Sequence, residues 1–316
     1  MKQWDPNLSP YKKKKILSKS TLQISPPAVL FIGFLVLITI GALLLMLPVA
    51  AVAPTSLIEA LFTATSAVTV TGLVVLDTGT HFTYFGQVVI AVLIQAGGLG
   101  FMTFAVVAAI SLGAKLGFNQ QLVMKEALDQ TSMDKVITTA KFVILYSFVI
   151  ELVGFVLLTS VWWQEFGLGE AAYQSFFYTI SAFNNAGFAL RGDSLSAYSA
   201  SFSVNMIITA LFIIGGIGFA VLIDVKTNLR WRKLSLNTRV VLLATLVINL
   251  AAFFLVWLLE ANNVNTLASL PIGEQALTAW FQAVTPRTAG FNTLPIDQLT
   301  DATTTLTIFL MFIGGG

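Results

Sequence analysis

The chain has no cysteine and a single histidine, and charged residues make up only 10% of its 316 positions. Without thiols there is neither a disulfide framework nor a thiolate metal site, and His81 alone cannot build an imidazole cluster for zinc or haem. A charged fraction so far below the roughly 25% of soluble domains, beside 56% hydrophobic residues, excludes an ordinary soluble core. The few acids within apolar runs, with no convergent His or Ser, leave a membrane enzyme without its groups, so the chain is read as no enzyme. The run Gly97-Gly98-Leu99-Gly100 lacks the strand, third glycine and acidic partner of a dinucleotide site. No nucleic-acid partner is indicated. The first apolar run is too long for a signal-peptide core, so no cleaved leader is expected.

What the sequence does have is length in its apolar runs. Spans of about 20 residues, enough for a hydrocarbon layer near 30 Å, occur at 28–47, 84–112, 142–163, 203–223 and 240–259 and, incomplete, at 303–316. These predict an all-α polytopic membrane protein, with lipid as its constant partner. Bases gather before the first run (Lys2, Lys12, Lys13, Lys14, Lys15, Lys19), around 113–141 (Lys115, Lys125, Lys135, Lys141) and at 226–239 (Lys226, Arg230, Arg232, Lys233, Arg239). The positive-inside rule makes these segments, and the amino terminus, cytoplasmic. Acids such as Glu59, Asp77, Glu165, Glu170 and Asp193 then fall outside, where they raise the local cation concentration.

One pattern occurs three times: an apolar run, a short amphipathic stretch ending in a small-residue turn, and a second apolar run broken by glycines. The turns are 66–72 (SAVTVTG), 181–187 (SAFNNAG) and 284–290 (VTPRTAG), and Gly72, Gly187 and Gly290 lie 115 and 103 residues apart. Glycine clusters at 97–100, 215–218 and 314–316 follow. The amphipathic stretches 56–68, 170–183 and 273–284 are too short to span, so each is expected to dip into the bilayer and return as extended chain. Non-helical backbone at that depth survives where it is buried in protein or lines a water-filled path, and turns meeting at one axis suit an ion-selective pore. Glycine permits the dihedrals that aim carbonyls inward. Thr71, Ala186 and Ala289 let the turns approach, and Thr69, Asn184, Asn185 and Thr288 can tie them to the helices behind. The organisation expected is a basic cytoplasmic tail 1–27, repeat 1 at 28–112, a cytoplasmic connection 113–141, repeat 2 at 142–225, a basic cytoplasmic loop 226–239, and an incomplete repeat 3 at 240–316.

The three turns, with the Gly-Gly clusters after them, resemble those of the Trk/Ktr/HKT superfamily of cation transporters, most of all its Ktr membrane subunits, over nearly the whole chain beyond the tail. The resemblance implies helix–pore-loop–helix units around a pseudo-fourfold pore in a bacterial-type plasma membrane. Three re-entrant loops are visible and the fourth is absent, so the chain is expected to be truncated within the third repeat. It implies potassium uptake driven by the membrane potential, with sodium as an activator that no residue here locates. The filter carbonyls would come from Thr69, Val70, Thr71 and Gly72, from Asn184, Asn185, Ala186 and Gly187, and from Thr288, Ala289 and Gly290, with potassium held there as substrate and no cofactor. Gly314, Gly315 and Gly316 would lead into a gate. A homodimer seated on a cytoplasmic nucleotide-binding ring is implied, with 113–141 and 226–239 as docking surfaces. Two other readings stay open, a non-conducting fragment of such a transporter and a secondary transporter for another cation.

Some residues keep two readings. Glu151 and Asn249 lie inside apolar runs and are expected to make structural hydrogen bonds. Gln95 faces either the inner cavity or a neighbouring helix. Arg287 is expected to turn back to an acid or to pore-helix carbonyls, and His81 to sit solvated in a loop. The glycine run 97–100 reads as a packing site or a bend.

Overall fold

A computed structural model of the chain describes residues 26–100 and 133–315, and those residues are helical with no strand. Residues 1–25 of the expected basic tail, 101–112 of the expected 84–112 span, 113–132 of the connection and Gly316 lie outside them. The first unit comprises α1 (Pro26–Leu45), α2 (Leu57–Val68) and α3 (Tyr84–Gly98). The second comprises α4 (Met133–Phe166), α5 (Leu168–Phe183) and α6 (Phe202–Gly216), extended by α7 (Phe219–Thr227). The third comprises α8 (Leu236–Glu260), α9 (Ile272–Val284) and α10 (Asp301–Ile313).

Local chemistry starts and stops these helices. Ser56 accepts from the Glu59 N–H while the Glu59 carboxylate accepts from the Ser56 N–H, a reciprocal cap at the head of α2. Thr83, Ser201 and Thr300 cap α3, α6 and α10 through their hydroxyls. Glu260 is fully buried and pairs with no base among the described residues. Its carboxylate accepts instead from the Thr300 N–H at 2.9 Å, the Thr266 hydroxyl at 2.6 Å and the Asn263 amide at 2.7 Å, which locks the end of α8 to the start of α10.

Packing follows the units. Ala60, Ala64 and Ala67 of α2 pack with Ala42 and Leu45 of α1 and with Ile90 and Ile94 of α3. In the second unit Trp162, Tyr178, Phe183 and Phe212 form an aromatic core that continues into Phe281 and Phe291 of the third. Small side chains allow this closeness, since in lipid it is contact rather than water release that holds helices together. The opposite faces of α4 and α8 expose Leu145, Phe148, Phe254 and Leu258, as lipid-facing surfaces do.

The second apolar run of each unit departs from expectation. Only Thr138–Phe166 and Leu236–Glu260 are long and apolar enough to cross a membrane as single described helices. The expected span at 203–223 is not one helix, because α6 ends at Gly216 and the chain bends by 92° into α7. The cause is backbone: Gly218 sits at φ +93° and ψ 139°, open to glycine and strained for any residue with a Cβ. Likewise α3 ends at Gly98 and α10 at Ile313, where the expected spans ran further. His81 is also not a free loop residue, since it closes a one-turn helix and its Nε2 lies 3.0 Å from the Thr55 hydroxyl.

No side chain crowds Gly218, so backbone strain alone sets the cost of substitution. Gly218→Ala is expected to destabilise by about 1–3 kcal/mol, read as a lower melting temperature of the detergent-purified protein. An unchanged melting temperature would contradict the assignment of the bend to this glycine.

Candidate functional site

The three short helices α2, α5 and α9 end at Val68, Phe183 and Val284, and each runs directly into one of the small-residue turns. In the first turn the Thr71 N–H donates to the Ser66 carbonyl at 2.8 Å, and in the second the Ala186 N–H donates to the Ser181 carbonyl at 2.7 Å. Both turns pass through a left-handed residue, Val70 at φ +55° and Asn185 at φ +58°, before the glycine. The third is wound differently. Pro286 supports a 3-10 turn over Thr285–Arg287, and the N–H groups of Ala289 and Gly290 both donate to the Thr285 carbonyl. All three end on a glycine of positive φ: Gly72 at +79°, Gly187 at +71° and Gly290 at +76°.

The turns lie against one another. A Cβ on Gly72 would stand 2.5 Å from the Ala186 carbonyl oxygen, and one on Gly187 would stand 2.7 Å from that of Ala289. Each of these glycines therefore faces the carbonyl of the residue before the next glycine. Gly290 faces only the Gly187 Cα, 3.7 Å from its own absent Cβ. Asn184 and Ala186 are buried in the middle turn, whereas Thr69, Thr71 and Gly290 on its two flanks are exposed.

Hydroxyls behind the turns clamp them. Ser181 donates to the Phe188 carbonyl at 2.7 Å and Thr285 to the Phe291 carbonyl at 2.6 Å. Phe188 and Phe291 are fully buried, whereas Leu73, at the same place after the first glycine, is 60% exposed and the Ser66 hydroxyl lacks a partner among the described residues. These clamps were missed in the sequence, although a hydroxyl five or six places before each glycine was there to be seen.

The glycine pairs do two jobs. A methyl on Gly97 would overlap the Val68 carbonyl oxygen, and one on Gly215 that of Phe183, so each first glycine seats the helix against its own pore helix. The second glycine reaches the next turn: Gly98 lies against the Asn184 side chain, and Gly216 against Thr288 as well as Asn185 of its own unit. The Asn185 amide donates to the Phe212 carbonyl at 3.0 Å and the Thr288 hydroxyl at 2.9 Å, and accepts from the Gly216 N–H at 3.2 Å.

Gln95 turns to neighbouring helices: its amide donates to both Glu151 oxygens, at 2.8 and 3.0 Å, and accepts from Asn184 at 2.7 Å. Among the described residues Arg287 meets no acid and no carbonyl of α2, α5 or α9. It is buried, with donors on Asn249 Oδ1 at 2.9 Å and on the carbonyls of Gly314 and Gly315 at 2.9 and 3.3 Å. There the negative end of α10 and its unpaired carbonyls offset the cation. A small crevice lined by Thr245, Asn249, Arg287, Thr288 and Gly315 opens beside it. The C-terminal ends of α2, α5 and α9 bring partial negative charge to the turns, an environment that suits a cation better than an anion.

Comparison with known proteins decides the family. The TrkH cation transport protein family matches residues 28–316. The chain belongs to that family. It is 49% identical over 295 residues to the Ktr system potassium uptake protein B of Bacillus subtilis (strain 168), covering 93% of this chain and 66% of that protein. It is 42% identical over 294 residues to the protein of the same name in Vibrio alginolyticus (92% and 64%) and 39% identical over 295 to the potassium/sodium uptake protein NtpJ of Enterococcus hirae (93% and 65%). The chain thus spans about two thirds of the length of these relatives. The crystal structure of the potassium transporter TrkH from Vibrio parahaemolyticus shares its fold, with a TM-score of 0.66 at 20% identity, covering 95% of this chain and 58% of that one. The TrkH family is one of membrane transporters rather than enzymes, and the helical, pore-loop architecture expected from the sequence is that of this family.

Within this TrkH-family fold the paired glycines are not equivalent. Gly97→Ala must push the Val68 carbonyl away and is expected to destabilise by about 1–3 kcal/mol. A Cβ at Gly216 meets nothing nearer than 3.4 Å, so Gly216→Ala is expected to leave the melting temperature unchanged or raise it. Equal effects of the two substitutions on thermal unfolding would refute this account of the pairs.

Proposed function

We propose that this chain carries the ion path of a potassium uptake system in the plasma membrane, with the carbonyls of 69–72, 184–187 and 288–290 replacing water around the ion. The observation that carries this reading is the contact of Gly72 with the Ala186 carbonyl and of Gly187 with that of Ala289, which gathers backbone oxygens from separate repeats at one place. Carbonyls suit a dehydrated cation because they offer fixed dipoles without a full charge that would trap it. Inward movement of one charge down 100 mV releases about 2.3 kcal/mol, enough to drive accumulation without further coupling. Flux belongs to an assembly in which an oxygen-bearing turn also closes the side left open at Gly290.

The finer features rest on the relatives. NtpJ carries potassium and sodium in its name, and sodium activation of potassium uptake is proposed here on that ground. The "Ktr system" relatives are named as parts of systems, which supports work alongside other subunits; that these form a homodimer on a cytoplasmic nucleotide-binding ring rests on the family resemblance alone. The cytoplasmic amino terminus rests on the sorting of bases along the chain, and a gate beginning at Gly314 rests on the end of α10 there.

Replacing Gly187 by Ser in the complete protein is expected to lower the preference for potassium over sodium about tenfold, or about 1.4 kcal/mol. Rubidium uptake with sodium as competitor reads this directly. A preference like the parent's would remove the second turn from the ion path.

A further inference from the structure

Thr69, Asn184 and Arg287 occupy the same place in the three turns, three residues before the glycine, yet each is held differently. Thr69 is tied within its own segment, donating to the Thr65 carbonyl and sharing a hydrogen bond with the Thr71 hydroxyl, both at 2.7 Å. Arg287 is tied to α8 through Asn249 and to the end of α10. Asn184 alone is tied through a carboxyl. Its amide donates to Gln95 of α3 at 2.7 Å, to the Ile180 carbonyl at 2.9 Å and, at 3.4 Å, to Glu151 of α4. Gln95 completes the bridge to both Glu151 oxygens.

Glu151 is 8% exposed on a helix whose neighbouring Phe148 and Leu152 face outward at 67% and 58%. It pairs with no base among the described residues. Every hydrogen bond it makes there is accepted from an amide, as suits a group able to accept at two oxygens. A buried carboxyl is costly, and a neutral side chain would fill the same space at less cost. Stability alone therefore gives no reason for an acid here, whereas the placement of Asn184 does.

We propose that Glu151 is a specificity-determining positioning residue, which acts through Gln95 to fix Asn184 and with it the middle turn. The proposal rests on the reading of the turns as the ion path. Asn184 closes α5 and directly precedes the left-handed Asn185. Any displacement of Asn184 moves the Ala186 carbonyl that faces Gly72 and moves Gly187 where it faces the Ala289 carbonyl. The middle turn touches both others, so it is the one whose position sets the spacing of all three. Glu151 itself is bonded to no residue of the turns except Asn184, and its influence passes through the amides.

Glu151→Gln tests this in the complete protein with little change of volume. The new amide accepts at one oxygen only and sets its own donor against that of Gln95, so one hydrogen bond of the bridge is lost. Expected is an approximately tenfold loss of potassium-over-sodium preference in rubidium uptake, with a raised apparent KM for rubidium and an unchanged amount of protein in the membrane. The exchange Gln95→Glu with Glu151→Gln reverses donor and acceptor along the same bridge and is expected to restore the preference to within twofold. A parent-like preference in Glu151→Gln, or a double variant that stays impaired, overturns the proposal. Gly187→Ser run alongside separates the two readings. If it changes preference while Glu151→Gln does not, only the positioning role fails; if neither changes it, the ion-path reading fails with it. Should Glu151→Gln not accumulate, Glu151→Asp withdraws the carboxyl by about 1.5 Å. Loss of preference then supports the role, and a parent-like preference overturns it.

Discussion

Backbone pressed against backbone, with no room for one methyl group, is the constraint on which this structure depends. The turns can share one place only because Gly72 and Gly187 leave space for the carbonyls of Ala186 and Ala289. The helices behind them close in for the same reason, Gly97 on the Val68 carbonyl and Gly215 on that of Phe183. Inside a bilayer this closeness is the main source of cohesion, because lipid tails offer side chains almost the same environment as a protein core does. The aromatic core of Trp162, Tyr178, Phe212 and Phe281 then fills what the glycines leave empty.

Close approach brings polar backbone to a depth without water, and several of these groups meet a specific donor or acceptor. The Ser181 and Thr285 hydroxyls hold the carbonyls just past the glycines. Asn185 joins the middle turn to the end of α6 and to Thr288. Arg287 gives donors to the carbonyls of Gly314 and Gly315, just past the end of α10, where the helix dipole favours a cation. Buried groups of opposite kind thus brace adjacent turns, an acid behind the second and a guanidinium within the third. The first turn has neither, and the Leu73 that follows it stays exposed.

Much of this is legible in the residues, and what is not has a physical reason. The ends of the three short helices at Val68, Phe183 and Val284 fall where the amphipathic stretches run into small-residue turns. Periodicity and glycine spacing carry that signal locally. The glycines at 215–218 mark where the run is broken, but the 92° angle after Gly216 is not legible in the same way, because hydropathy stays high through 219–223 and says nothing of a backbone angle. The partner of Gln95 is hidden by distance: Glu151 lies 56 residues away, and only the fold, which packs both α3 and α4 on α5, brings the two together. The destination of Arg287 is hidden too, since a cation is expected to seek an acid, and here the end of a helix takes that place.

The central claim is that oxygens from separate repeats converge to hold a dehydrated potassium ion. Anomalous diffraction from crystals of the complete protein grown in rubidium or thallium tests it without recourse to transport. The account places a peak on the axis between the carbonyls of residues 70–71, 185–186 and 288–289. Ordered turns with no peak there, or with the ion bound elsewhere in the membrane region, would contradict it.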